Sequence, residues 1–160
     1  FRRVLFRSKT AVLGTAPAPH YTYDAPDLLV NGVRGPFNFR SGDWAGWSAT
    51  PFEVTIDMDG ETYSSVTLGT VVVKYDWIFN PQSIVISVSE DGKTFTEVAK
   101  AQYQPEGEND PNNLKEYTLT FPETSARYLK VWAETITSIP AWHPGAGGAG
   151  FLFVDEVTVL

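Results

Sequence analysis

From residue 52 to 58 apolar and polar side chains alternate, with Phe52, Val54, Ile56 and Met58 on one side and Glu53, Thr55 and Asp57 on the other. That is the period-two signature of a half-buried strand. The same period returns at 83–89, where Ile84, Ile86 and Val88 oppose Val85 and Ser87, at Tyr117, Leu119 and Phe121, and again at 127–132. Residues 69–75 hold the β-branched run Val71-Val72-Val73 and read as a strand covered on both faces. Glu90-Asp91-Gly92-Lys93 separates two alternating runs, and Asp-Gly suits the positive φ at both centres of a type I′ hairpin turn. Residues 104–113, rich in Pro, Gly, Asn and acidic side chains, read as a solvated loop, and no stretch of ten residues keeps a helical spacing. Many short strands between Pro and Gly turns predict an all-β fold, a jelly-roll β-sandwich of two antiparallel sheets.

A chain of 160 residues, 42% hydrophobic and 19% charged, is one globular domain and not a disordered segment. The opening Phe1-Arg2-Arg3-Val4-Leu5-Phe6-Arg7-Ser8 is basic, lacks a Met start and shares no periodicity with the rest of the chain. It resembles the translation of a common sequencing adapter, so residues 1–9 are set aside as an adapter or linker artefact and 10–160 taken as the module. Something larger is expected to have preceded Lys9, and Thr15-Ala16-Pro17-Ala18-Pro19 punctuates the entry into the first strand. A net charge of −7 speaks against nucleic acid, whose binding draws on Lys and Arg. The absence of cysteine removes disulfides, thiolate metal sites and thiol nucleophiles. No run approaches the roughly 18 apolar residues of a membrane span.

Glycoside hydrolysis needs two carboxyl groups in a sugar-sized cleft. Asp155 and Glu156 are neighbours on a strand and should point to opposite faces, while Asp57 and Asp59 read as a solvated strand end. His20 and His143 are the only histidines, with no Ser-His-Asp or HExxH spacing. The fragment therefore reads as non-catalytic. Sugar binding asks instead for exposed flat rings and a few planar polar groups. Trp44 and Trp47 in a Gly-containing loop, Trp142 and His143 at the mouth of the glycine-rich 145–150 segment, and Arg34 are the candidates, with Arg40 a further loop arginine. Trp77 and Trp132 read as packing residues. The alternative is that these aromatics anchor loops and bind nothing.

Four ordered motifs carry a family resemblance. Leu28-Leu29-Val30-Asn31-Gly32-Val33-Arg34-Gly35 resembles the opening loop of the coagulation factor V/VIII type C, or discoidin, domain, with Asn31 in place of its Asp. The run Val85 to Val98 is similar to the family's Ser-x-Asp-Gly hairpin, Ala126-Arg127-Tyr128-Leu129-Lys130-Val131 to its Ala-Arg-Tyr strand, and Asp155-Glu156-Val157-Thr158-Val159 to its last strand. The tryptophan-bearing segments at 35–47, 77–79 and 142–148 resemble C-terminal modules of family 20 β-N-acetylhexosaminidases of Bacteroidetes, relatives of the family 32 carbohydrate-binding modules. The resemblance implies an accessory module of an exported bacterial glycosidase, periplasmic, outer-surface or secreted. Its implied partners are a galactose-type or N-acetylhexosamine glycan and its own parent catalytic domain; the alternative is a structural domain packed on that parent without a ligand. It also implies a structural Ca2+ held through Asn31 and Glu156, weakened by the neutral Asn31. On the residues alone, Asn31 caps a turn and Glu156 pairs with Arg34.

Overall fold

The computed structural model describes residues 9–160; the expected adapter at 1–8 lies outside the described residues. Lys9, grouped above with that leader, belongs to the domain: its ammonium donates to the Met58 carbonyl at 3.2 Å and pairs with Glu61 at 2.8 Å.

Among the described residues nine strands form two antiparallel sheets. They are β1 (Thr10–Leu13), β2 (Ala45–Ser48), β3 (Phe52–Asp57), β4 (Tyr63–Val72), β5 (Ser83–Ser89), β6 (Thr96–Gln102), β7 (Asn113–Thr124), β8 (Tyr128–Ala133) and β9 (Phe151–Val159). The five-stranded sheet runs β1-β3-β8-β5-β6 and the four-stranded sheet β2-β9-β4-β7. The predicted all-β sandwich is the observed fold, and helix is confined to three short 3-10 turns among the described residues.

The period-two strands place their apolar faces inward as expected. Phe52, Val54 and Ile56 of β3, Ile84 and Ile86 of β5, and Leu129 and Val131 of β8 meet Trp47, Leu68, Leu152, Val154 and Val157 of the other sheet in one core. Two expectations are corrected. The β5–β6 hairpin exists, yet its turn is not type I′: six residues separate Ser89 from Thr96, and of the Asp-Gly pair only Gly92 has positive φ, 75°. The Asp91 carboxylate shapes this longer loop by accepting the N–H groups of Lys93 and Thr94 at 2.8 and 2.9 Å, which holds its pKa down at about 2. The run at 69–75 also leaves the sheet earlier than expected, at Val72.

Register fixes which loops meet. Ser48 pairs with Phe151, Phe52 and Ile84 with Ala133, and Val72 with Asn113. The connections at 49–51, 73–82, 103–112 and 134–150 therefore share one end of the sandwich. Thr10, opposite Asp57, and Leu160, bonded to Ser64 and Ser65, lie at the other.

Candidate functional site

At the four-loop end, residues 73–78 fold into a tight reversal. Val73 and Ile78 exchange both backbone bonds at 3.1 Å, and Trp77 closes the turn in the left-handed region at φ 66°. The Trp77 ring lies on the glycine-rich segment: a Cβ on Gly145 would come within 2.6 Å of it. The bareness of that segment thus seats an indole of the chain's own.

Beneath the reversal sits His143, only 3% exposed. Its Nδ1 accepts the Gly145 N–H at 2.8 Å, so Nε2 donates to the Lys74 carbonyl at 2.6 Å. Tyr75 stacks on the imidazole at 5.4 Å and 15°, while Trp77, Trp142 and Phe79 meet it edge-on or tilted at 5.5 to 5.8 Å. The buried Lys74 ammonium donates to the carbonyls of Gly107, Glu108 and Asp110. Three of the four loops are thereby tied together, and two rings remain open to solvent, Tyr75 at 58% and Trp77 at 40% exposure. A planar ring fixed from below with its upper face bare is what stacking on the C–H face of a pyranose requires.

The structure redistributes the predicted site. Trp44 and Trp47 are fully buried, which corrects their assignment as sugar platforms. Pairing of β2 with β9 draws Trp44 among Phe39, Val71, Ile78 and Phe153, and sets Trp47 edge-on to Phe52 at 4.7 Å. Their indole N–H groups donate to the carbonyls of Pro36 and Thr15. Trp142 is half-buried beside Phe79, Ile136 and Ile139, and His143 spends both nitrogens on backbone. Trp77, expected to be packing, is exposed, and Tyr75 is absent from the sequence candidates because it falls inside an expected strand. The cue is Lys74-Tyr75-Asp76-Trp77 itself, four residues that break the β-branched run with an acid and two bulky rings.

Arg34, Asn31 and Glu156 come together elsewhere, under residues 31–35. A β-bulge sets Gly69 opposite Glu156 and Thr70 opposite Val154, leaving Asp155 without a partner on β4. The two adjacent acids, expected on opposite faces, consequently both address the 32–35 backbone. Asp155 accepts Arg34 Nε and the Gly35 N–H, each at 2.7 Å, and Glu156 accepts the Gly32 N–H at 3.1 Å. Arg34 also pairs with Glu116, so its ionic partners are Asp155 and Glu116 and not Glu156. Asn31 Oδ1 caps its turn by accepting the Val33 N–H at 2.9 Å. Burial pushes Asp155 up against the opposing pull of Arg34. Burial, with the Asp155 charge adding to it, pushes Glu156 from its ordinary 4.5 to about 8.

The oxygens Asp155 Oδ1 and Glu156 Oε1 are buried without a hydrogen-bond partner. Unsatisfied carboxylate oxygens are the donor chemistry a hard cation takes, although among the described residues no three His, Cys, Asp or Glu cluster as a metal site. Any such ion would draw its remaining ligands from carbonyls and water.

A family model for the F5/8 type C domain matches residues 15–151. The chain belongs to this family. No curated protein matches it significantly. Among solved structures, this F5/8 type C domain is similar to a family 32 carbohydrate-binding module, CBM32-3, of a family 31 glycoside hydrolase from Clostridium perfringens. Identity there is 15%, coverage 99% of this chain and 92% of that one, and the TM-score 0.59. It is similar also to the family 32 module of Clostridium perfringens NanJ in complex with galactose, at 17% identity, coverage of 99% and 95%, and TM-score 0.55. A third is CpGH89CBM32-5 from the same organism in complex with GalNAc-β-1,3-galactose, at 18% identity, coverage of 99% and 97%, and TM-score 0.52. At these identities the F5/8 type C domain shares their fold. Among the described residues no helix is long and apolar enough to cross a membrane.

Proposed function

We propose that this F5/8 type C domain is a non-catalytic carbohydrate-binding module whose sugar platform is the Tyr75–Trp77 turn. The observation that carries the reading is a pair of large rings, open to solvent yet fixed from below by His143 and the 145–148 backbone. The two buried acids lie under residues 32–35 and engage Arg34 and backbone N–H groups, which is not the arrangement of a hydrolytic pair. The ligand class is a neutral glycan of galactose or N-acetylhexosamine type, in keeping with the sugars in the two ligand-bound relatives. The parent is an exported bacterial glycoside hydrolase of β-N-acetylhexosaminidase type, for which the module raises the local concentration of polymer.

Calorimetric titration of residues 9–160 with galactose, N-acetylgalactosamine and N-acetylglucosamine tests this. Saturable binding near the millimolar range, weakened at least tenfold in Tyr75→Ala and Trp77→Ala with unchanged melting behaviour, is the expected result. A folded domain indifferent to all three sugars overturns it in favour of a structural appendage packed on the parent through the same rings.

A Ca2+ ion belongs to the proposal through Glu156 and Asp155, with Asn31 beside them; when bound, it would neutralise two acids that otherwise face each other in low dielectric. Folded Glu156 keeps its proton to about 8, whereas the unfolded side chain releases it near 4.5. Its contribution is therefore complete below pH of about 4.5 and lost as pH rises through about 8. The melting temperature of the wild type is expected to fall relative to that of Glu156→Gln across this window. Added calcium should restore the wild type at pH 8 and leave Glu156→Gln unmoved. Parallel pH profiles of the two proteins would refute the raised pKa, and calcium-insensitive melts would refute the ion.

A further inference from the structure

A cavity of about 230 Å³ opens at the same end of the sandwich as the Tyr75–Trp77 turn, but on the outer side of the five-stranded sheet. Its aromatic lining is Trp132 of β8, half-buried between Glu53 of β3 and Val85 of β5. One wall is the β2–β3 turn. Ala49 holds that turn in the left-handed region at φ 63°, a conformation a residue with a Cβ keeps only where its surroundings enforce it. Here three hydroxyls enforce it: Ser48 donates to the Gly150 carbonyl at 2.9 Å, Thr135 to Thr50 at 3.0 Å and Thr15 to Pro51 at 2.6 Å.

The opposite wall carries Glu134 and Thr137, both exposed. Glu134 is oriented on two levels. Its backbone exchanges bonds with Ser83 and Gln82 at 2.9 Å, and its Oε1 accepts the Ser83 hydroxyl at 3.0 Å. That single bond leaves Oε2 for another donor. The cavity thus combines an indole, a positioned carboxylate and an exposed hydroxyl between walls locked in advance, in a space matching one pyranose ring.

We propose that this groove is a second carbohydrate subsite, which takes a single neutral or amino pyranose stacked on Trp132 with its hydroxyls on Glu134 and Thr137. The Glu134 carboxylate makes it repel uronic and sialic acids. The segment 134–139 joins the two faces, because Ile136 and Ile139 pack under Trp142 and Phe79 on the side of the Tyr75–Trp77 turn. The inference deepens the carbohydrate reading: with two subsites on one rigid end, the domain engages a branched or repeating glycan at two points, and avidity replaces single-site affinity.

The test is an NMR titration of residues 9–160 that follows the indole N–H resonances, assigned by single Trp→Phe variants, with galactose, N-acetylgalactosamine, glucosamine and glucuronic acid. The Trp132 resonance is expected to shift saturably with one or more of the first three sugars and not with glucuronic acid. That shift should persist in Trp77→Ala and weaken about tenfold in Glu134→Ala, which removes a charge-assisted hydrogen bond and leaves the Trp132 packing in place. A Trp132 resonance unmoved by every sugar, or one that loses its response in Trp77→Ala, overturns the second subsite. The primary reading is scored separately by the Trp77 resonance, so either can fail alone.

Discussion

Trp47→Ala is expected to destabilise the domain by about 3–5 kcal/mol, the cost of removing a large aromatic from a packed core. The ring is fully buried, meets Phe52 edge-on at 4.7 Å, and donates its N–H to the Thr15 carbonyl at 3.2 Å. Truncation opens a void between the sheets and strips that carbonyl of its donor. Domains of this size are stable by about 5–15 kcal/mol, so the loss is a large fraction of the total. Urea denaturation followed by far-ultraviolet circular dichroism measures it, with a lower midpoint and an unchanged slope. Trp77→Ala provides the contrast, because its ring rests on the surface of the 145–148 segment and its loss should cost under about 1 kcal/mol. Equal destabilisation by the two variants would contradict the difference in their burial.

Gly69→Ala is expected to cost about 3 kcal/mol, through a collision and not a void. An added Cβ would overlap Asp155 Oδ1 and lie 2.9 Å from the Arg34 guanidinium. Neither can move cheaply, since Asp155 is fully buried and holds both Arg34 and the Gly35 N–H. The methyl therefore drives a buried carboxylate off its two donors, and residues 32–35 lose their anchor. A double-mutant cycle with Asp155→Ala isolates the cause: with the carboxylate gone the methyl has room, and the combined cost should fall well below the sum of the two single costs. Additive costs would place the strain in the β4 backbone instead.

The frame of the fold is legible in the sequence where one face of a strand is buried. Residues 52–58 and 83–89 declare their inward side chains through period two, and the core receives those same residues. Features that depend on a partner strand are not legible. Nothing local in Asp155-Glu156 announces the bulge, which exists only relative to Gly69 and Thr70 on β4. A period-two reading therefore sends one acid outward when both turn to the same loop. The Asp-Gly pair promises a two-residue turn, and Asp91 instead organises six residues with its carboxylate.

The tryptophans show the same limit at the site. Trp44, Trp47 and Trp77 all flank small or polar residues in sequence, and burial separates them only after β2 has docked on β9. The resemblance sets Asn31 and Glu156 against one ion; in the structure Glu156 accepts the N–H of Gly32, next to Asn31, while Arg34, paired with Glu156 when the residues are read alone, holds Asp155 instead. Tyr75, the most exposed ring of the turn, lies within an expected strand, and only the break of the β-branched run at Lys74-Tyr75-Asp76-Trp77 hints that it leaves the sheet.

Thr10 and Leu160 lie opposite the four converging loops, which sets a direction for anything joined at those two residues. β4 runs the length of the sandwich in ten residues, about 30 Å at the rise of an extended chain. A support or neighbouring protein attached at Thr10 or Leu160 is thus held a full sandwich length behind the Tyr75 and Trp77 rings. The sandwich acts as a spacer with the Tyr75–Trp77 turn at its far end, and coupling at Thr10 or Leu160 leaves that turn unobstructed.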